Sequence, residues 1–245
     1  MPSSTPRPGT AVLAALLLAV TLTADAATGA APSLPPNLPA EIRTRLAPVT
    51  RQPSLATRVE GTPFVARLDV FEYLLDHPEF ATHVTRTLRL ARYRIWRTPA
   101  GLAIDDGWGT TGTFEVLYAV PGTRLLYARG TYDHAVLPDI HGQAVVVVDY
   151  APRPTPEGRQ AIATTITGFV KIDGTVMAMA GRLASRLARA KAEKEANRLV
   201  KVFARTTQRV ESDPAGVCEQ LRRRPDVPRA ELEEFRRLLN VAGAR

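Results

Sequence analysis

The sequence predicts an α+β domain in which a curved antiparallel sheet wraps around a long C-terminal helix, with two short helices after the first strand. Three observations carry that expectation. Six consecutive segments between residues 92 and 172 are rich in β-branched or aromatic residues and are bounded by Gly, Pro or Asp. From 176 to about 210 nothing breaks a helix, and Ala, Arg, Lys, Leu and Glu dominate. Between the first strand and this sheet-forming region lies an amphipathic stretch interrupted by His77-Pro78.

The chain opens on a targeting signal. Residues 11–23, AVLAALLLAVTLT, are thirteen apolar or small residues without a charge. A bilayer span takes about 20. They follow Arg7 and precede Ala24-Asp25-Ala26, an A-x-A of the kind signal peptidase cuts after. Residues 1–26 therefore read as a removed secretory signal, and the mature protein is expected to be periplasmic or secreted. No cysteine lies near the cut, so a lipoprotein anchor is not expected. Residues 27–54 read as a Pro-rich leader with one short helix at 39–46, where Ile42 and Leu46 fall four apart.

The alternating LATRVE at 55–60 is the first strand. In Leu68–Asp76, Leu68, Phe71, Leu74 and Leu75 fall on one helical face. His77 stands before a proline and is pushed out of the α region, while Pro78 opens a second helix carrying Phe80, Val84 and Leu88. The strands follow, joined by the tight-turn chemistry of Pro99-Ala100-Gly101, Asp106-Gly107 and Pro121-Gly122, which gives an antiparallel meander. The stretch APRPTPEGR is its longest break. Asp173-Gly174-Thr175 then supplies a helix N-cap.

Along the long helix the apolar stripe changes side. Val176, Met179, Ala180, Leu183, Leu187 and Ala190 share one face at about 100° per residue. Ala192, Ala196, Leu199, Val200, Phe203 and Val210 fall roughly opposite. The first half is expected to pack on the sheet and the second on something else. Ser212-Asp213-Pro214 and Asp226-Val227-Pro228 start two short helices, the expected cover for that second stripe. The chain thus divides into a domain at 55–210 and a helical extension at 211–245.

This order of elements resembles the START-like, or polyketide cyclase-like (SRPBCC), helix-grip superfamily. VFEYLLDHPEF at 70–80 is similar to that family's helix after the first strand. GTVMAMAGRLASRLARAKAEKEANRLVKVF is similar to its closing helix. The resemblance implies a sheet curled around the long helix, and an apolar cavity for a lipid, sterol or polyketide-like ligand. It brings no shared catalytic motif. The Pro-rich leader and the 35 residues after Val210 depart from it.

The chemistry-bearing residues point to binding rather than catalysis. Gly107-Trp108-Gly109-Thr110-Thr111-Gly112 matches G-x-G-x-x-G, but a strand follows it, so it reads as a hairpin and not a nucleotide site. The four histidines, His77, His83, His134 and His141, form no compact ligand pair, and neither metal nor cofactor is expected. Asp133, His134, Asp139 and His141 bracket one turn and read as ordinary loop residues. Asp105 and Asp106 are adjacent on a strand and point to opposite faces, unlike an acid/base pair. No serine sits in G-x-S-x-G. The single cysteine, Cys218, cannot close an internal disulfide and reads as a small buried residue.

The expected ligand is a hydrophobic small molecule or lipid. Trp96, Trp108, Tyr118, Tyr127 and Tyr132 on the strands, with Met179 and Leu183 on the long helix, are the candidate cavity residues. Residues 61–174 hold 11 basic and 12 acidic side chains, whereas 175–245 hold 16 and 9, a net charge of +7. Such a balance points first to nucleic acid, which export removes as a partner. Anionic membrane, envelope polyanions or a merely solvated face remain, with Arg198, Lys201 and Arg205 the candidate contacts for a membrane or partner surface. The competing functions are an enzyme, a cyclase or hydrolase using His134 or Asp105 in the same cavity, and an envelope protein-interaction module.

Overall fold

Runs of β-branched residues joined by tight turns bury themselves by folding each strand back on the one before. The result is an eight-stranded, curved antiparallel sheet. Its strands are β1 (Leu55–Glu60), β2 (Phe64–Val65), β3 (Arg94–Thr98), β4 (Gly101–Asp105), β5 (Thr110–Val120), β6 (Thr123–His134), β7 (Leu137–Pro154) and β8 (Gln160–Ile172). The order is β1-β8-β7-β6-β5-β4-β3, with β2 also paired to β8. The meander from β3 to β8 is local, and β1 closes it from a distance, Leu55 facing Val170 and Glu60 facing Thr165. This computed structural model describes residues 31–99, 101–107, 109–134, 137–172 and 182–241, without the side chains of 134, 137, 138 and 182–196.

Six helices stand among the described residues: α1 (Ala40–Thr50), α2 (Leu68–Asp76), α3 (Pro78–Thr87), α4 (Arg182–Ser212), α5 (Pro214–Arg222) and α6 (Arg229–Leu238). The break between α2 and α3 falls at His77, whose φ of −121° and ψ of 64° are those of a residue forced out of the helix by the following proline. Asp213 caps α5, its carboxylate accepting the Gly216 N–H at 2.9 Å. The predicted signal segment and the N-cap at 173–175 lie outside the described residues.

The two faces of the sheet are both covered. On the outer face, α1 lays Leu46 and Val49 against Leu125, Tyr127, Val145, Val147 and Phe169. That burial extends α1 to Thr50, past the expected end at 46, with Pro48 accommodated inside the helix. On the inner face lie α2, α3 and the C-terminal half of α4. Phe71 of α2 packs edge-on against Tyr150, with centroids 5.1 Å apart, and against Phe203 of α4 at 5.7 Å. Behind α2 and α3, the C-terminal helices complete a second core in which Val70, Leu74, Phe80 and Val84 meet Val210, Leu221, Leu232 and Phe235. The expected extension therefore shares a core with the elements it follows.

Several expectations are revised here. The stretch APRPTPEGR is not a loop throughout: Pro152 and Pro154 continue β7, pairing with Ile162 and Gln160. Beyond Asp149 strand β7 has no β6 partner, and a one-sided strand tolerates proline. The turn shrinks to Thr155–Arg159, with Gly158 at φ 72°. The second stripe of α4 is likewise divided. Val210 joins the C-terminal helices, whereas Val200 meets the sheet beside Thr164.

Candidate functional site

Strand periodicity places Ala144, Val146 and Val148 of β7, Leu126 and Ala128 of β6, and Thr164 and Ile166 of β8 on the inner face. Ala128 and Ala144 oppose each other directly across the β6–β7 ladder. Two methyl groups there leave room that larger side chains would fill. Opposite this wall stand Phe71, Leu74, Leu75, Pro78 and Ala81 of α2 and α3, and Leu199, Val200 and Phe203 of α4. The space between is a cavity of about 160 Å³.

Its lining is almost wholly apolar. Among the described residues, polar side chains enter at three points: Tyr93 beside β3, Asp106 after β4, and Thr164 of β8. Burial pushes the Tyr93 phenol up, a hydrogen bond with Thr85 opposing it. Asp106 is 3 % exposed, and its Oδ1 accepts the Thr110 N–H at 3.0 Å, tying the carboxylate to the β4–β5 turn. Neighbouring Asp105 faces the other way. Its carboxylate takes Arg94 Nη2 at 2.8 Å and the Gly107 N–H at 2.7 Å, and the Arg94 bond holds it below the usual carboxylate range. Adjacent strand residues do point to opposite faces, so the two cannot act as one acid/base pair.

At one end of α2, Asp76 receives a fork from Arg124, Nε to Oδ1 at 2.6 Å and Nη2 to Oδ2 at 2.9 Å. Arg124 Nη1 donates to the carbonyls of Val120 and Thr123. Its guanidinium lies 5.6 Å from the Tyr150 ring centroid, and the Tyr150 hydroxyl donates to Glu72 Oε1 at 2.8 Å. This network fastens the cavity's helical wall to β6 and β7.

The aromatic residues singled out from the sequence do not converge. Tyr118 and Tyr127 belong to the outer-face core under α1, away from the cavity. The Tyr127 hydroxyl donates to Gln143 Oε1 and accepts from Arg129 Nε, each at 2.7 Å, and Arg45 lies 5.5 Å over the ring. Trp96 is 43 % exposed on the edge strand β3, with Arg94 at 5.8 Å over its ring. Tyr132 packs on the inner face beside the Leu102–Ile104–Phe114 cluster without lining the cavity. Trp108 and Met179 lie outside the described residues, as does the side chain of Leu183. Of the basic candidates, Lys201 and Arg205 are exposed and Arg198 is half-buried.

The G-x-G-x-x-G segment places Gly107 at φ 75° and Gly109 at φ 104° between β4 and β5, and its last three residues, Thr110–Gly112, begin β5. A Cβ at Gly109 would stand 2.5 Å from the Asp133 carbonyl oxygen, so the glycine serves a close backbone approach. His141 faces Thr131 across the β6–β7 ladder, Nδ1 to Oγ1 at 2.9 Å. Among the described residues no group of three His, Cys, Asp or Glu could hold a metal ion. Cys218 is buried, and burial raises its thiol to about 11.

No family model and no curated protein matches this chain. Among solved structures it is similar to a conserved protein from Geobacillus kaustophilus, at 15 % identity and a TM-score of 0.39, over 62 % of this chain and 93 % of that one. A hypothetical protein from Helicobacter pylori is similar at 11 % identity and a TM-score of 0.36, over 62 % of this chain and 88 % of that one. Likenesses this distant assign neither family nor activity.

Proposed function

We propose that this protein is an exported, non-catalytic carrier of a hydrophobic small molecule or lipid, built as a START-like helix-grip domain. The observation that carries the reading is the cavity between sheet and helices, about 160 Å³ and lined by apolar side chains. An apolar cavity of about 150 Å³ stays dry and takes benzene, so this one suits a ring-sized compound or the apolar end of a larger one. The ligand is carried unchanged. The Asp105 carboxylate, a candidate for chemistry, is engaged by Arg94 on the opposite face. Export rests on the thirteen-residue apolar run before Ala24-Asp25-Ala26.

The test is extraction of the freshly purified protein into organic solvent, followed by mass spectrometry. A stoichiometric apolar compound is the expected result. An empty protein that also fails to take up small apolar probes would refute the carrier. Conversion of the bound compound into a product would favour the enzyme, and a protein partner retained in place of ligand the interaction module. N-terminal sequencing of the exported form should begin near Ala27, and an intact Met1 would refute the cleaved signal.

A second reading concerns the membrane. Lys201, Arg205 and Arg209 are exposed at four-residue steps along α4, while Val200 and Phe203 of the same helix turn inward. Among the described residues none of the three cations has an ion-pair partner. We propose that this ridge rests on anionic lipid, bringing the carrier to the surface where its cargo is exchanged. No described helix is long and apolar enough to cross a membrane.

A further inference from the structure

How cargo reaches the cavity follows from its lining, an inference that rests on the carrier reading. Leu126 of β6 and Val146 of β7 oppose each other across the β6–β7 ladder, and both line the cavity. Across the β5–β6 ladder Leu126 opposes Val116 of β5. Residues directly opposite in adjacent strands share a face, so the three side chains form one apolar row on the inner face. Exposure rises along it: Val146 and Leu126 are half-buried, and Val116 is 41 % exposed. Just beyond Val116 the register with β6 shifts before Tyr118, a bulge that bends the strand at this point. On the facing wall, Leu75 and Pro78 line the cavity from the α2–α3 corner and are half-buried as well.

Two ion pairs frame that corner. Asp76, the last residue of α2, holds Arg124 of β6, and Glu79, in the first turn of α3, holds Arg97 of β3. Arg124 stands two residues before Leu126 on β6. Arg97 faces Leu102, and Leu102 faces Phe114, two residues before Val116 on β5. Val116 therefore lies in the sheet between the two arginines, with a helix pinned down on either side of it. The Glu79 pin is the weaker. The Arg97 side chain is 72 % exposed against 10 % for Arg124, so water competes for it.

We propose that the gap between these two pins is the doorway of the cavity. Cargo passes Val116 apolar end first, along Leu126 and Val146. The polar end of an amphiphile too large for about 160 Å³ stays outside, between the ion pairs. Val116 is then a residue of the doorway and lies outside the ligand's resting place. It sets the rates of entry and exit together and leaves their ratio, the affinity, alone.

Fluorine NMR exchange of fluorobenzene with the full chain measures both rates. Val116→Trp should lower entry and exit together by about tenfold with Kd unchanged, because a doorway is one barrier crossed in both directions. Val116→Phe, a smaller obstruction, should give intermediate rates, and Glu79→Gln, which frees the α3 pin, should raise both. The position is exposed, so these Val116 variants should melt like wild type. Para-fluorophenyl glucoside carries the same ring on a sugar that cannot follow it inside. Wild type should bind it, and Val116→Trp should not, because the doorway must stay open around the linkage. Unchanged rates in the folded Val116 variants, or a fluorobenzene affinity that falls with the rates, would overturn the doorway. So would a glucoside that wild type rejects or that Val116→Trp binds equally well. Fluorobenzene that fails to bind wild type would instead remove the carrier reading, and this proposal with it.

Discussion

Replacing Asp76 by Ala tests how the helical wall of the cavity is held. Arg124 is deeply placed, its side chain 10 % exposed against 44 % for Asp76. Two of its N–H groups go to the Asp76 carboxylate and two contacts reach backbone carbonyls. Removing one partner of a fully buried pair costs about 3–5 kcal/mol, whereas exposed pairs are worth about 0–1 kcal/mol. The exposure of Asp76 lets water take part of its place, so the expected cost lies between these, about 2 kcal/mol. For a chain of this length each kcal/mol moves the melting temperature by about 2–4 °C, giving a fall of about 4–8 °C in a thermal melt. In an Arg124→Met background the same replacement should cost under about 0.5 kcal/mol, since no cation is left unpaired. A melt within about 1 °C of wild type, or an equal loss in both backgrounds, would refute the clamp.

Four further outcomes are expected. Gly61→Ala should lower stability by about 1–3 kcal/mol through overpacking against Thr164 and Val200, and chemical denaturation with an unmoved midpoint would contradict that contact. Cys218, its thiol raised to about 11 by burial, should resist a thiol reagent at pH 8 until the protein unfolds; rapid labelling of the native protein would place it at the surface. Tyr150 is raised from 10.0 to about 12, chiefly by burial and then by its bond to Glu72. Its neutral form is the one the fold favours, so that contribution is whole below pH 10 and is lost as pH rises through 12. Unfolding free energy should fall across that window, and Tyr150→Phe should flatten the fall. Replacing Lys201 and Arg205 together by Gln should weaken binding to anionic vesicles by about 2 kcal/mol, at about 1 kcal/mol each, and should leave the melting temperature unchanged; equal affinity of wild type for neutral vesicles would end the membrane reading.

Local chemistry made most elements legible in the sequence. Pro78 marked the α2–α3 break, Asp213-Pro214 the start of α5, and Gly107 and Gly109 the β4–β5 turn. The cavity was harder to read because β7 is apolar on both sides. Val145 and Val147 face α1 while Ala144, Val146 and Val148 face the cavity, and the run AVVVV at 144–148 carries no polar residue to say which is which. An outer face covered by a leader helix was the missing fact. For the same reason Tyr118 and Tyr127, which look like pocket aromatics, serve the opposite core.

The pairing of β1 with β8 has a consequence in time. Glu60 meets Thr165 and Leu55 meets Val170, so no partner for β1 exists until more than 100 further residues have been made. At about 5–20 residues per second the first strand waits roughly 5–20 s during synthesis. Long-range closure is also slow in its own right, because the loop's entropy is lost before the ladder forms. The N-terminal strand is thus the last to join the sheet it borders, and until then the edge of β8 stands open as a template for the β1 of any neighbouring chain.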